Sequence, residues 1–137
     1  MNLFFILSAA AASIASASVA VCSSADALVQ DLAILTDPTN PKIGDSYNLT
    51  LTFTSPIVIN DKATMRTKMT FDGFPVSNDL APVCDSVNTC PLPAGPQVLS
   101  WVATVPTDVP SGQLQGSQTW FAPDSTQLFC YKWVFNL

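Results

Sequence analysis

A period of two in hydropathy limits the folds open to this chain more than any other feature. From Tyr47 to Phe53, the apolar Tyr47, Leu49, Leu51 and Phe53 alternate with Asn48, Thr50 and Thr52. Successive side chains of a strand point to opposite faces, so this pattern describes a strand with one face buried and the other wet. Over 63–71, Met65, Met69 and Phe71 share a face with Thr67, while Thr64, Arg66, Lys68 and Thr70 take the other. Near the C-terminus, Phe129, Tyr131, Trp133 and Phe135 oppose Cys130, Lys132 and Val134. Further strands are expected over 28–35, 98–105 and 113–121. In the second of these the phase is open, because Trp101 and Val102 cannot both point inward.

Turn formers separate the runs. Thr36-Asp37-Pro38-Thr39-Asn40-Pro41 and Ile43-Gly44-Asp45 lie between the runs at 28–35 and 47–53, Pro91, Pro93 and Pro96 precede the strand at Val98, and Ala122-Pro123-Asp124-Ser125 reads as a hairpin turn. No amphipathic helical pattern follows residue 20, and the chain has no Glu, a strong helix former. The expected fold is all-β, an immunoglobulin-like two-sheet β-sandwich of six to eight strands.

Residues 1–20 differ in kind. Met1 to Ala20 carries no charge, Leu3 to Leu7 is an apolar run, and small residues follow, ending in Ala15-Ser16-Ala17 and Ser18-Val19-Ala20. An apolar core leading into small-residue cleavage sites is the pattern of a secretory signal peptide, here without its usual basic start. The segment is too rich in Ser and Ala to make a good membrane span. Residues 21–137 are then the domain, large enough to bury roughly two thirds of its unfolded surface. Cleavage after Ala17 and after Ala20 both fit the pattern.

All ten acidic residues are Asp, set against Lys42, Lys62, Arg66, Lys68 and Lys132, for a net charge of −5. That balance opposes binding to nucleic acid and firm docking on anionic membranes. Four cysteines, Cys22, Cys84, Cys90 and Cys130, in a chain bound for an oxidising compartment read as two disulfides. Cys84 and Cys90 flank the turn-like Asp-Ser-Val-Asn-Thr and are paired on that basis, which leaves Cys22 with Cys130. The long closure is worth roughly 5 kcal/mol in the chain-entropy model and the short one about 2. Zinc is the rival reading, but no Cys-x-x-Cys pair is present.

Little in the chain points to catalysis. With no His, the usual nucleophile–base arrangement cannot be assembled, and the lysines fall in turns or on polar faces. No two aspartates fall close together on an expected inner face, and there is no Gly-rich phosphate loop. The expectation is a non-enzyme with no cofactor and no metal. Asn48-Leu49-Thr50 is a glycosylation sequon with Asn48 on the polar face of its strand. Large adaptable side chains make up the apolar faces. Alternation alone cannot distinguish a filled sandwich from a hollow one.

Several segments together resemble the ML family, the MD-2-related lipid-recognition domains. Gly44-Asp45-Ser46-Tyr47 leading to Leu51-Thr52-Phe53-Thr54-Ser55 is similar to the family's second strand. Gly73-Phe74-Pro75-Val76, then Cys84 and Asn88-Thr89-Cys90-Pro91, is similar to its mid-chain turn and cysteine loop. Trp120, followed by Gln127-Leu128-Phe129-Cys130-Tyr131, looks like its last hairpin. The likeness is greatest to the Niemann–Pick type C2 and phosphatidylglycerol/phosphatidylinositol transfer proteins.

The resemblance implies sheets that splay around a lipid cavity, with a sterol, phospholipid or fatty acid as ligand. It implies an entrance at Phe74, Val76, Val105 and Val109. Strand phase adds Phe53, Met65, Met69, Phe71, Trp120, Tyr131 and Trp133 as wall residues. Two departures touch sterol specificity: the loop 36–41 has no third disulfide, and Val109 with Ser77-Asn78-Asp79 stands where the family has bulky aromatics. The function implied is a secreted, or vacuolar or lysosomal, lipid-binding and transfer protein. It would act as a monomer with transient membrane contact and with a receptor protein as a further partner. The alternative is an extracellular recognition module or receptor co-factor working through protein–protein contact.

Overall fold

The computed structural model describes residues 18–137. Most of the expected signal segment therefore lies outside the described residues. Eight strands form two sheets: β1 (Ser18–Val21), β2 (Ala33–Asp37), β3 (Ser46–Ser55), β4 (Thr64–Phe71), β5 (Phe74–Pro82), β6 (Gly95–Thr104), β7 (Gln113–Phe121) and β8 (Gln127–Asn136). One sheet has the order β1-β8-β7-β4-β5 and the other β2-β3-β6. Every neighbouring pair is antiparallel. The all-β two-sheet sandwich expected from the period-two pattern is the fold observed.

Three elements depart from the sequence reading. The run over 28–35 enters a ladder only at Ala33, because Leu28 N and Val29 N instead donate to the carbonyls of Gln127 and Leu128 at 2.9 Å. This stretch carries the chain from one sheet to the other. Asp31 Oδ1, accepting from Thr54 N at 2.9 Å, pins it to the end of β3. The second departure is β5, read in sequence as a turn and a polar stretch. It is an edge strand paired only to β4, where Pro75 and Pro82 leave no central ladder bond unmade. Its signal was present: Phe71 pairs with Phe74 across Asp72-Gly73, whose φ of 49° and 85° match the Asp-Gly hairpin turn. The third is β1, which begins at Ser18 inside the segment 1–20 and pairs with β8 from Ser18↔Val134 to Val21↔Tyr131.

Both disulfides join the cysteines paired from spacing, Cys22–Cys130 and Cys84–Cys90. Strand phase in β6 is decided by its neighbour: Trp101 lies opposite Leu49 and faces inward, leaving Val98 and Val102 exposed. At one end of the sandwich the core is solid. Phe53, Trp120 and Phe129 are fully buried, with ring centroids 4.7 to 6.2 Å apart. Leu51, Ile59, Leu92 and Leu128 complete it. No helix among the described residues is long and apolar enough to cross a membrane.

Candidate functional site

Rows of side chains cross the inner face of the larger sheet, and their composition changes from one end to the other. The first row, Met65-Trp120-Phe129, belongs to the solid core. The second, Thr67-Gln118-Tyr131, is polar. The third is Met69-Gly116-Trp133. An added Cβ on Gly116 would stand 2.2 Å from Trp133 Cζ2, so the missing side chain is what lets the indole lie across β7. The facing sheet supplies Thr36-Leu49-Trp101 as one row.

Between the sheets lies a cavity of about 160 Å³, lined by Thr36, Tyr47 and Leu49 from the smaller sheet. Val19, Gln118, Tyr131, Trp133 and Phe135 from the larger sheet close the other side. A second space of about 170 Å³ shares Leu49, Gln118 and Tyr131 with it and adds Met65, Ser86, Trp101 and Trp120. The two are neighbouring lobes with the Gln118–Tyr131 pair at their junction. Trp101 Nε1 donates to Ser86 O at 2.9 Å and holds the 3₁₀ turn at Val83–Asp85 against the second lobe.

Gln118 organises the polar row. Its Oε1 accepts from Tyr131 OH and from Trp120 Nε1, each at 2.8 Å, and its Nε2 donates to Thr67 Oγ1 at 3.1 Å. Burial pushes the Tyr131 phenol well above its ordinary pKa, with a smaller contribution from Tyr47, and burial also raises Tyr47. Both are neutral phenols at physiological pH. Thr36 is 4 % exposed, and its Oγ1 has no hydrogen-bond partner among the described residues. No lining residue of either lobe carries a charge.

The residues proposed from sequence are dispersed by the structure. Tyr131 and Trp133 line the first lobe, and Met65, Trp120 and Tyr131 the second. Phe53 sits in the aromatic core. Met69 and Phe71 are half-buried on the same sheet face but line neither lobe. Of the entrance set, Phe74 and Val76 are exposed on β5, at 75 % and 57 %. Val105 is buried, with its backbone bonded to Gly44 and Asp45. Val109 is half-buried in the β6–β7 loop. Asn48 is exposed on the outer face of β3 opposite Val102.

As lining residues, sequence reasoning missed Val19, Thr36, Ser86, Trp101 and Gln118, and it placed Tyr47, Leu49 and Phe135 on inner faces without proposing them for the site. The strand phase that selected Trp120 and Tyr131 also places Gln118 inside, but its polarity kept it off an apolar list. No group of three or more His, Cys or Asp side chains suited to a metal ion is found among the described residues.

A two-sheet antiparallel sandwich, disulfide-linked between its ends and hollow between its sheets, defines a class of small β-sandwich binding domains. Within that class the chain belongs to the ML domain family, whose sequence model matches residues 16–137. Two solved structures share the fold. One is a Niemann–Pick type C2 protein from Japanese carpenter ant, 14 % identical with a TM-score of 0.55, the match covering 85 % of this chain and 96 % of that one. The other is chicken MD-1 complexed with lipid IVa, 13 % identical with a TM-score of 0.60, covering 86 % and 87 %. Among curated proteins no significant match is found.

Proposed function

We propose that this chain is a secreted, non-enzymatic lipid-binding protein that holds the apolar body of a lipid between its sheets and transfers it between membranes. The observation that carries the reading is the pair of uncharged lobes between the sheets of an ML domain. Each is about the size of an engineered apolar cavity of ~150 Å³ that binds benzene. A longer lipid is accommodated by outward movement of the sheets, which share side-chain packing and no hydrogen-bonded ladder. The MD-1 structure with bound lipid IVa supports the choice of ligand class. Two disulfides agree with a secretory route.

Organic extraction of the secreted protein, followed by mass spectrometry, is expected to release lipid near one equivalent. The extracted protein is expected to melt several degrees lower, since a ligand at a hundred times its Kd adds about 2.7 kcal/mol. Protein that carries no lipid and does not bind the fluorescent apolar probe N-phenyl-1-naphthylamine would overturn the reading.

A further inference from the structure

We propose that the ligand is a neutral lipid bearing a carbonyl or hydroxyl oxygen between two apolar arms, and that Thr36, Gln118 and Tyr47 bind that oxygen. The inference rests on the reading of the cavity as a lipid site and narrows it. Its starting point is Thr36. A threonine hydroxyl buried without a partner is unfavourable compared with an isosteric valine. Across the ladder Thr36 faces Leu49, which offers it no polar atom from its side chain, so the fold gives the hydroxyl no use. It lines the first lobe, where a ligand oxygen would satisfy it.

Two further donors line the same lobe. An amide nitrogen carries two protons, and Gln118 Nε2 spends only one, on Thr67. The Tyr47 hydroxyl has no hydrogen bond among the described residues, and its ring is held edge-on to Phe135 at 5.4 Å. Gln118 Oε1 is already occupied by two donors. The spare hydrogen-bonding capacity is thus rich in donors, which suits an accepting oxygen.

The charge of that group follows from the lining. No Lys or Arg borders either lobe, so a carboxylate or phosphate drawn inside would be a buried, unpaired charge. Its position follows from the junction. Gln118 lies where the lobes meet, with carbon-lined space on both sides: Val19, Trp133 and Phe135 on one, Met65 and Trp101 on the other. An oxygen held there belongs to the middle of the ligand and not to its end.

Displacement of N-phenyl-1-naphthylamine by 6-undecanone, undecane and undecanoate tests this on wild type, Thr36→Val and Thr36→Ser. Thr36→Val is expected to weaken the ketone about fivefold, one neutral hydrogen bond, and to leave the alkane unchanged. Thr36→Ser, which keeps the hydroxyl, is expected to bind the ketone within about twofold of wild type. Comparing variants removes the difference in water solubility between the ligands. An unchanged ketone-to-alkane ratio in Thr36→Val, or undecanoate binding more tightly than the ketone at pH 7, overturns the inference while the carrier reading stands. Failure of every ligand and of the fluorescent probe to bind overturns the carrier reading, and this inference with it.

Discussion

Gln118 shows how one residue can hold an interior together and still leave it hollow. Its carbonyl oxygen satisfies two buried donors from Trp120 and Tyr131, and its nitrogen reaches Thr67 on the next strand. Replacing it by leucine keeps the volume and strands those donors. Each orphaned donor costs about 1–3 kcal/mol, so Gln118→Leu is expected to lose roughly 2–6 kcal/mol in urea unfolding. A loss under about 1 kcal/mol would mean the network is not intact in solution.

Two carboxylates contribute to the response to acid. Asp31 is held below the ordinary value of 3.8 by the backbone N–H of Thr54, and Asp124 by that of Thr126. Their unfolded-state values are higher, so their stabilisation is fully present above about pH 4 and is lost as pH falls through the folded values. There is no His to titrate at milder pH. The melting temperature is therefore expected to be flat between pH 7 and 5 and to decline below about pH 4. Asp31→Asn with Asp124→Asn, which keeps both acceptor oxygens, is expected to make that decline shallower. A fall between pH 7 and 5.5 would contradict the assignment.

At the scale of elements, β1 and β5 were the strands that alternation did not reveal. β5 carries two prolines and the polar Ser77-Asn78-Asp79, and its outer edge has no partner to demand regular pairing. β1 has four residues, too short for a period to register, and its backbone is shaped by β8. From its place we propose that, of the two expected cleavage sites, the one after Ala17 is used. Cleavage after Ala20 would remove three of the four residues of Ser18–Val21, including Val19 from the cavity wall. N-terminal sequencing of the secreted protein is expected to begin at Ser18. A start at Val21 would mean that the mature sandwich lacks this edge strand.

On the scale of the whole molecule, the chain determined by itself everything that depends on near neighbours. Alternation in β3, β4 and β8 set which side chains face inward, and the cysteine spacing of six residues set one disulfide and, by exclusion, the other. These are local or combinatorial properties, readable without knowing which strand lies beside which. The family resemblance rested on the same short segments and led to the ML domain that matches residues 16–137. Only the tertiary structure decided where space remains. A cavity is the volume left when two faces fail to fill the gap between them, so it depends on residues far apart in sequence, such as Thr36 and Gln118. Pairing register put Gly116 beneath Trp133, laid the indole across β7, and placed Gln118 beside Tyr131 at the junction of the lobes. Alternation reports which way a side chain points. It carries no measure of what stands opposite.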